Sequence, residues 1–157
     1  MSTCDLTTYH ILLTSFAKSG RRNLVAKAEQ IFDRILSGDL EIIPNTITFT
    51  IIMEVLAKHG AKGSASKVHD ILNRMLNYSK SNDDVKPNTF TFNVAIDAYS
   101  KSGKRDASNI AEELLLQLEK LYEEQRDEHS KPNVVSYTST LDAIANTAAK
   151  DSIERAQ

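Results

Sequence analysis

The chain has 157 residues, enough for an ordinary domain with a sizeable core, and its 41% hydrophobic and 25% charged residues exclude wholesale disorder. A net charge of −2 and a pI near 6.1 argue against a uniformly basic nucleic-acid binder, while leaving room for a positive groove opposite an acidic face. The lone Cys4 excludes an internal disulfide framework, and no apolar run reaches the roughly 18–20 residues of a membrane span. The first residues match neither a secretory signal nor an arginine-rich transit peptide, so a soluble chain whose address label is missing or was removed is expected.

Asp5-Leu6-Thr7-Thr8-Tyr9-His10 opens the first segment of helical spacing, in which Tyr9, Leu12, Leu13 and Phe16 form one apolar stripe. The stripe runs into Lys18-Ser19-Gly20. Glycine just past a periodic stretch stops a helix, because it takes the left-handed conformation without steric cost. A second amphipathic helix follows, with Leu24, Ala28, Ile31, Phe32 and Ile35 on its stripe. The same grammar then recurs. Phe49, Ile52, Val55 and Leu56 lead into Lys58-His59-Gly60, followed by Ala65, Val68, Ile71, Leu72 and Met75. Phe92, Ala95, Ile96 and Tyr99 lead into Lys101-Ser102-Gly103. Ala107, Ile110, Ala111, Leu114, Leu118 and Leu121 follow, on a helix predicted to reach about Arg126. Polar stretches at 79–84 and 127–130 separate the units. The last segment places Tyr137, Leu141 and Ile144 on a first helix and Ile153 and Ala156 at the start of a second. Asn146 and Ala148 stand where the earlier turns carry lysine and glycine.

Three segments open on nearly one phrase: Pro44-Asn45-Thr46-Ile47-Thr48-Phe49-Thr50, Pro87-Asn88-Thr89-Phe90-Thr91-Phe92-Asn93 and Pro132-Asn133-Val134-Val135-Ser136-Tyr137-Thr138. Their asparagines are 43 residues apart (45 to 88) and 45 apart (88 to 133), and the phrase at Asp5 lies 40 before Asn45. Self-similarity at a period of about 20–50 residues marks a solenoid of stacked units. The expected organisation is a tail at 1–5, repeats at 6–45, 46–88 and 89–133, and a partial repeat at 134–157.

The Trp-Leu-Gly-Tyr pattern of tetratricopeptide repeats is absent. The Pro-Asn phrase, closing on Lys-x-Gly, resembles the pentatricopeptide repeat from Leu6 onward, with units longer than that family's usual length of about 35 residues. The resemblance implies an all-α fold, a right-handed α-solenoid of helix-turn-helix hairpins. It also implies single-stranded RNA as partner, about one base per repeat, in mitochondrion or plastid. Other proteins on the convex face are a second class of partner. The reading pairs it implies are His10/Asn45, Thr50/Asn88 and Asn93/Asn133, with Thr138 beginning a fourth. Thr50/Asn88 resembles an adenine reader and Asn93/Asn133 a cytosine reader that tolerates uracil; the base for His10/Asn45 is open. Thr7, Ile47, Phe90 and Val135 are the implied base wedges, and Lys18, Lys58 and Lys101 the implied phosphate contacts.

Plainer readings stand beside these. Asn45, Asn88 and Asn133 precede helices, where asparagine is a strong N-cap, and a cap can also read. The three lysines can equally serve helix C-terminal carbonyls. Tyr9, Phe49, Phe92 and Tyr137 lead the apolar stripes and are expected in the core. His59 and His69 lack a third ligand, and Asn77-Tyr78-Ser79 matters only in a secreted protein. No nucleophile arrangement or phosphate-cradling loop is visible, so no catalysis, cofactor, metal or small-molecule substrate is expected. The alternatives to RNA reading are a protein-interaction scaffold and the RNA-binding arm of an enzyme such as protein-only RNase P.

Overall fold

The computed structural model describes residues 5–59 and 63–156, apart from the side chains of Arg22 and His59. Cys4 and the stop glycine Gly60 lie outside the described residues, as does the His59 imidazole. All regular structure among the described residues is helical, in agreement with the all-α expectation. The helices are α1 (Leu6–Ser19), α2 (Arg22–Leu36), α3 (Thr46–His59), α4 (Ser64–Tyr78), α5 (Thr89–Ser100), α6 (Ala107–Gln125) and α7 (Val134–Arg155). They fall into two compact units divided between Lys86 and Pro87.

In the first unit, α3 packs against α1, α2 and α4. Its stripe is fully buried: Phe49 meets the edge of Phe32 at 5.2 Å between centroids and Tyr78 at 5.9 Å. Leu13, Ile52, Met53, Leu56, Val68 and Leu72 complete the core. Burying such side chains stabilises by about 1.5–3 kcal/mol each. Gly20 ends α1 with φ 65°, the left-handed stop its position predicts. Tyr9 is only half-buried and Leu12 is exposed, so the first stripe is less enclosed than expected. Ion pairs tie α4 to α2, from Lys67 to Glu29 at 2.7 Å and from Arg74 to Asp33 at 2.9 Å.

In the second unit, α5, α6 and α7 pack mutually around Phe92, Ala95, Ile96, Tyr99, Leu114 and Leu118. Helix α6 has 19 residues where α2 and α4 have 15, so much of the extra length of this repeat is one added helical turn. Arg126 closes α6 in the left-handed conformation, and a 3-10 turn, Glu128–Ser130, follows in the stretch expected to lack helix. The first residue of each unit's central hairpin clamps the linker, 40 residues on in the first unit and 42 in the second. Lys86 N–H donates to Thr46 Oγ1 at 2.8 Å, and Thr89 Oγ1 donates to the Lys131 carbonyl at 2.7 Å.

The expected partial hairpin at the end is corrected. Residues 134–155 form one continuous helix, with no turn at 146–148 and no second helix starting at Ile153. Ala148 replaces the glycine that stops α1, and alanine is the strongest helix former. Side chains fasten the extended helix to the preceding turn: Asn146 Nδ2 donates to the Ser100 carbonyl at 2.9 Å, Lys150 to the Gly103 carbonyl, and Arg105 pairs with Glu154. Tyr137 is corrected too. It is 46% exposed, because the buried side of α7 is Ser136, Ser139, Thr140 and Ala143. Leu141 and Ile144 also face outward.

Candidate nucleic-acid interface

The Pro-Asn phrase works locally as a helix start. Asn45, Asn88 and Asn133 each accept the N–H three residues on, from Thr48 (3.1 Å), Thr91 (3.0 Å) and Ser136 (3.2 Å). Each asparagine N–H donates in return to that residue's hydroxyl, at 3.1, 3.0 and 3.1 Å respectively, so the capping is reciprocal. A backbone N–H only donates, so these bonds fix which amide atom is which. Each Oδ1 faces its helix, and each Nδ2, with no protein partner, is left for something else.

In the second unit this orientation settles a second amide. Asn93 Nδ2 donates to Asn133 Oδ1 at 3.2 Å, which also takes the Ser136 N–H and hydroxyl. Asn93 is 8% exposed, and its Oδ1 is buried without a partner. A buried carbonyl left unsatisfied costs about 1–3 kcal/mol. Around this amide pair lies a cavity of about 690 Å³ between α5 and α7. Phe90 and Val135, 49% and 53% exposed, stand on its walls, and Asp97 and Ser139 extend it one turn further along the two helices. Apolar walls around a few convergent polar groups are the usual make-up of a ligand site.

The family model described as PPR repeat matches residues 90–107, the segment carrying Phe90, Asn93 and Asp97. That segment is similar to a pentatricopeptide repeat. No curated protein matches the chain. Proteins of this family generally bind RNA, are generally non-catalytic and are typically organellar.

The other candidate sites are built differently. His10 does not reach Asn45 directly: its Nε2 lies 2.9 Å from Thr48 Oγ1, the hydroxyl of the neighbouring cap. Burial holds the His10 imidazole below the usual histidine pKa, favouring the neutral ring. Thr50 donates its hydroxyl to the Thr46 carbonyl at 2.8 Å, leaving only lone pairs for a ligand. Among the implied wedges Thr7 and Ile47 are exposed, as is Thr138, which has no side-chain partner.

The lysines are not equivalent. Lys18 and Lys58 line one small cavity of about 240 Å³ with Thr14, Ile51 and Glu54, and neither is ion-paired. Lys101 is held by Asp97 at 2.7 Å, so part of its charge is already answered. Of the glutamates on α6, Glu112, Glu113, Glu123 and Glu124 are exposed, while Glu119 accepts the Tyr137 hydroxyl at 3.0 Å. Among the described residues, no three metal-ligating side chains converge. No described helix is long and apolar enough to cross a membrane.

Sequence reasoning missed Thr48, Asp97 and Ser139. A signal was available for one of them: Asp97 stands one helical turn after Asn93, on the same face of α5.

Proposed function

We propose that the helices opening each repeat bind single-stranded RNA one base at a time, as a specificity module in organellar RNA processing, stability or translation. The observation that carries this reading is the convergence of Asn93, Asn133, Phe90 and Val135 on one cavity, with Phe90 and Asn93 in the segment that the family model matches. A base entering it stacks on Phe90, a contact worth about 1–3 kcal/mol. Turning the soft terminal torsion of Asn93 presents its unsatisfied Oδ1 to the cytosine N4 amino group. The free Nδ2 of Asn133 donates to the adjacent ring acceptor. Asn88 offers a free amide N–H, the complement of an adenine ring nitrogen. The resulting readout is 5′-A-C-3′, with uracil tolerated at the second base.

The test follows from the division of labour within each asparagine. Aspartate caps a helix about as well as asparagine but presents an acceptor where Nδ2 presents a donor. Asn133→Asp is therefore expected to keep its fold and move preference from cytidine toward uridine, whose N3–H donates. Asn88→Asp moves preference from adenosine toward guanosine. The readout is binding to short RNAs that differ at one base. A uniform fall in affinity with no change of preference leaves these residues as caps alone and ends the base-reading proposal. Binding indifferent to both base and salt supports a protein scaffold instead.

A further inference from the structure

The cavity around Asn93 does not end at the base-reading pair. Asp97 lies one helical turn along α5 from Asn93, about 6 Å on, and Ser139 lies one turn along α7 from Val135. Lys101 follows one further turn along α5 and holds Asp97 Oδ2 at 2.7 Å. Asp97 Oδ1 remains without a partner, as does the hydroxyl of Ser139, a residue buried apart from its exposure to this cavity. The order along α5 is thus amide, oxygen acceptor and cation, with the cation just beyond the cavity lining and the free hydroxyl of Ser139 on α7. A nucleotide has the same order: base, ribose and phosphate.

From this register we infer that Asp97, with Ser139 across the groove, binds the ribose 2′-hydroxyl of the nucleotide whose base sits at Asn93 and Asn133, and so selects RNA over DNA. The inference rests on the base-reading proposal and adds to it the recognition of the sugar. A carboxylate oxygen can only accept, and the 2′-hydroxyl is the donor that ribose has and deoxyribose lacks. The ion pair to Lys101 fixes the Asp97 rotamer and offsets the repulsion between its charge and a nearby phosphate. The sequence repeats the arrangement. Thr14, Glu54, Asp97 and Asp142 stand four residues after His10, Thr50, Asn93 and Thr138, and every one of them carries a side-chain oxygen acceptor.

The experiment uses the hexanucleotide 5′-AAACAA-3′, with ribose throughout or with a single 2′-deoxyribose at the cytidine. The single cytidine sets the register, since adenosine suits Asn93 and Asn133 less well. The wild-type chain is expected to bind the all-ribose form roughly 5–10-fold more tightly, the effect of one hydrogen bond to a charged acceptor at a half-open site. Asp97→Ala is expected to bring the two forms within about twofold while retaining the preference for cytidine over guanosine at that nucleotide. Asp97→Asn, which keeps a carbonyl acceptor, retains part of the discrimination, and circular dichroism checks that both variants are folded. Equal binding of the two forms by the wild type, or discrimination undiminished in Asp97→Ala, overturns the inference while base preference persists. Loss of base preference in the wild type itself overturns the base reading and the sugar reading together.

Discussion

The two units place the same phrase in different company. In the second unit the reading residue bonds the cap directly, Asn93 to Asn133, and leaves a buried acceptor idle. The first unit inserts a hydroxyl: His10 meets Thr48, and Asn45 is approached only through it. Aromatic leaders differ in the same way. Phe49 is sealed between Phe32 and Tyr78, whereas Tyr137 is half open and hydrogen-bonded to Glu119. Equal positions in a repeat therefore fix where a side chain starts but not what it meets. What it meets is set by the residue type and by the element about 40 residues away.

The largest expected effect separates the aromatic leaders. Phe49→Ala should cost about 3–5 kcal/mol of stability in denaturant unfolding, through the cavity it opens. Tyr137→Ala should cost under about 1 kcal/mol, since most surface substitutions do. Equal costs would mean that Tyr137 is core and the exposed face of α7 is wrong.

Next is the exchange of one site for the other. His10→Asn gives the first unit the reading residue of the second, and the shorter amide can turn to Asn45. Preference for a pyrimidine at the corresponding nucleotide is expected to appear, by roughly tenfold, the scale of one good base-edge hydrogen bond. If no preference appears, the placement of Asn45 rather than the identity of residue 10 sets that site.

Acid should act on the first unit through His10. His10 has its pKa lowered by burial, so below about pH 6.5, the ordinary histidine value, the unfolded chain takes up the proton first. Stability carried by His10 is present above that pH and is lost as pH falls toward the folded-state value. Hydrogen exchange at α1 and α3 should quicken between neutral pH and about pH 5, after correction for intrinsic rates, and His10→Gln should remove that change.

The smallest effect concerns the lysines. For a single-stranded ligand, removing one phosphate contact lowers the salt slope by about 0.7. Lys18→Ala or Lys58→Ala should approach that figure, while Lys101→Ala should fall short of it, because Lys101 is paired with Asp97. Equal slopes for all three variants would show that the ion pair opens on binding.

Much of this molecule was legible in its residues. Helix starts at Asp5, Asn45, Asn88 and Asn133, the left-handed stop at Gly20, the end of α6 at Arg126 and the buried leaders Phe49 and Phe92 all follow from signals a few residues long. The exposed Phe90 and Val135 are also where the phrase put them. Spacing erred at the end of the chain, where the repeat grammar called for a turn that Ala148 does not make. Helix propensity, a local rule, there outweighed periodicity, an inherited one.

By itself the sequence determined the helix starts and the ends of most helices, because capping, periodicity and proline act over one or two helical turns. Tertiary structure alone decided which atoms the candidate site offers. The bond from Asn93 to Asn133 spans 40 residues, the orphaned Oδ1 follows from it, and the contact of His10 with Thr48 spans 38. Such partners are chosen when helices pack, since a hydrogen bond depends on distances of a few tenths of an ångström that no spacing along the chain specifies.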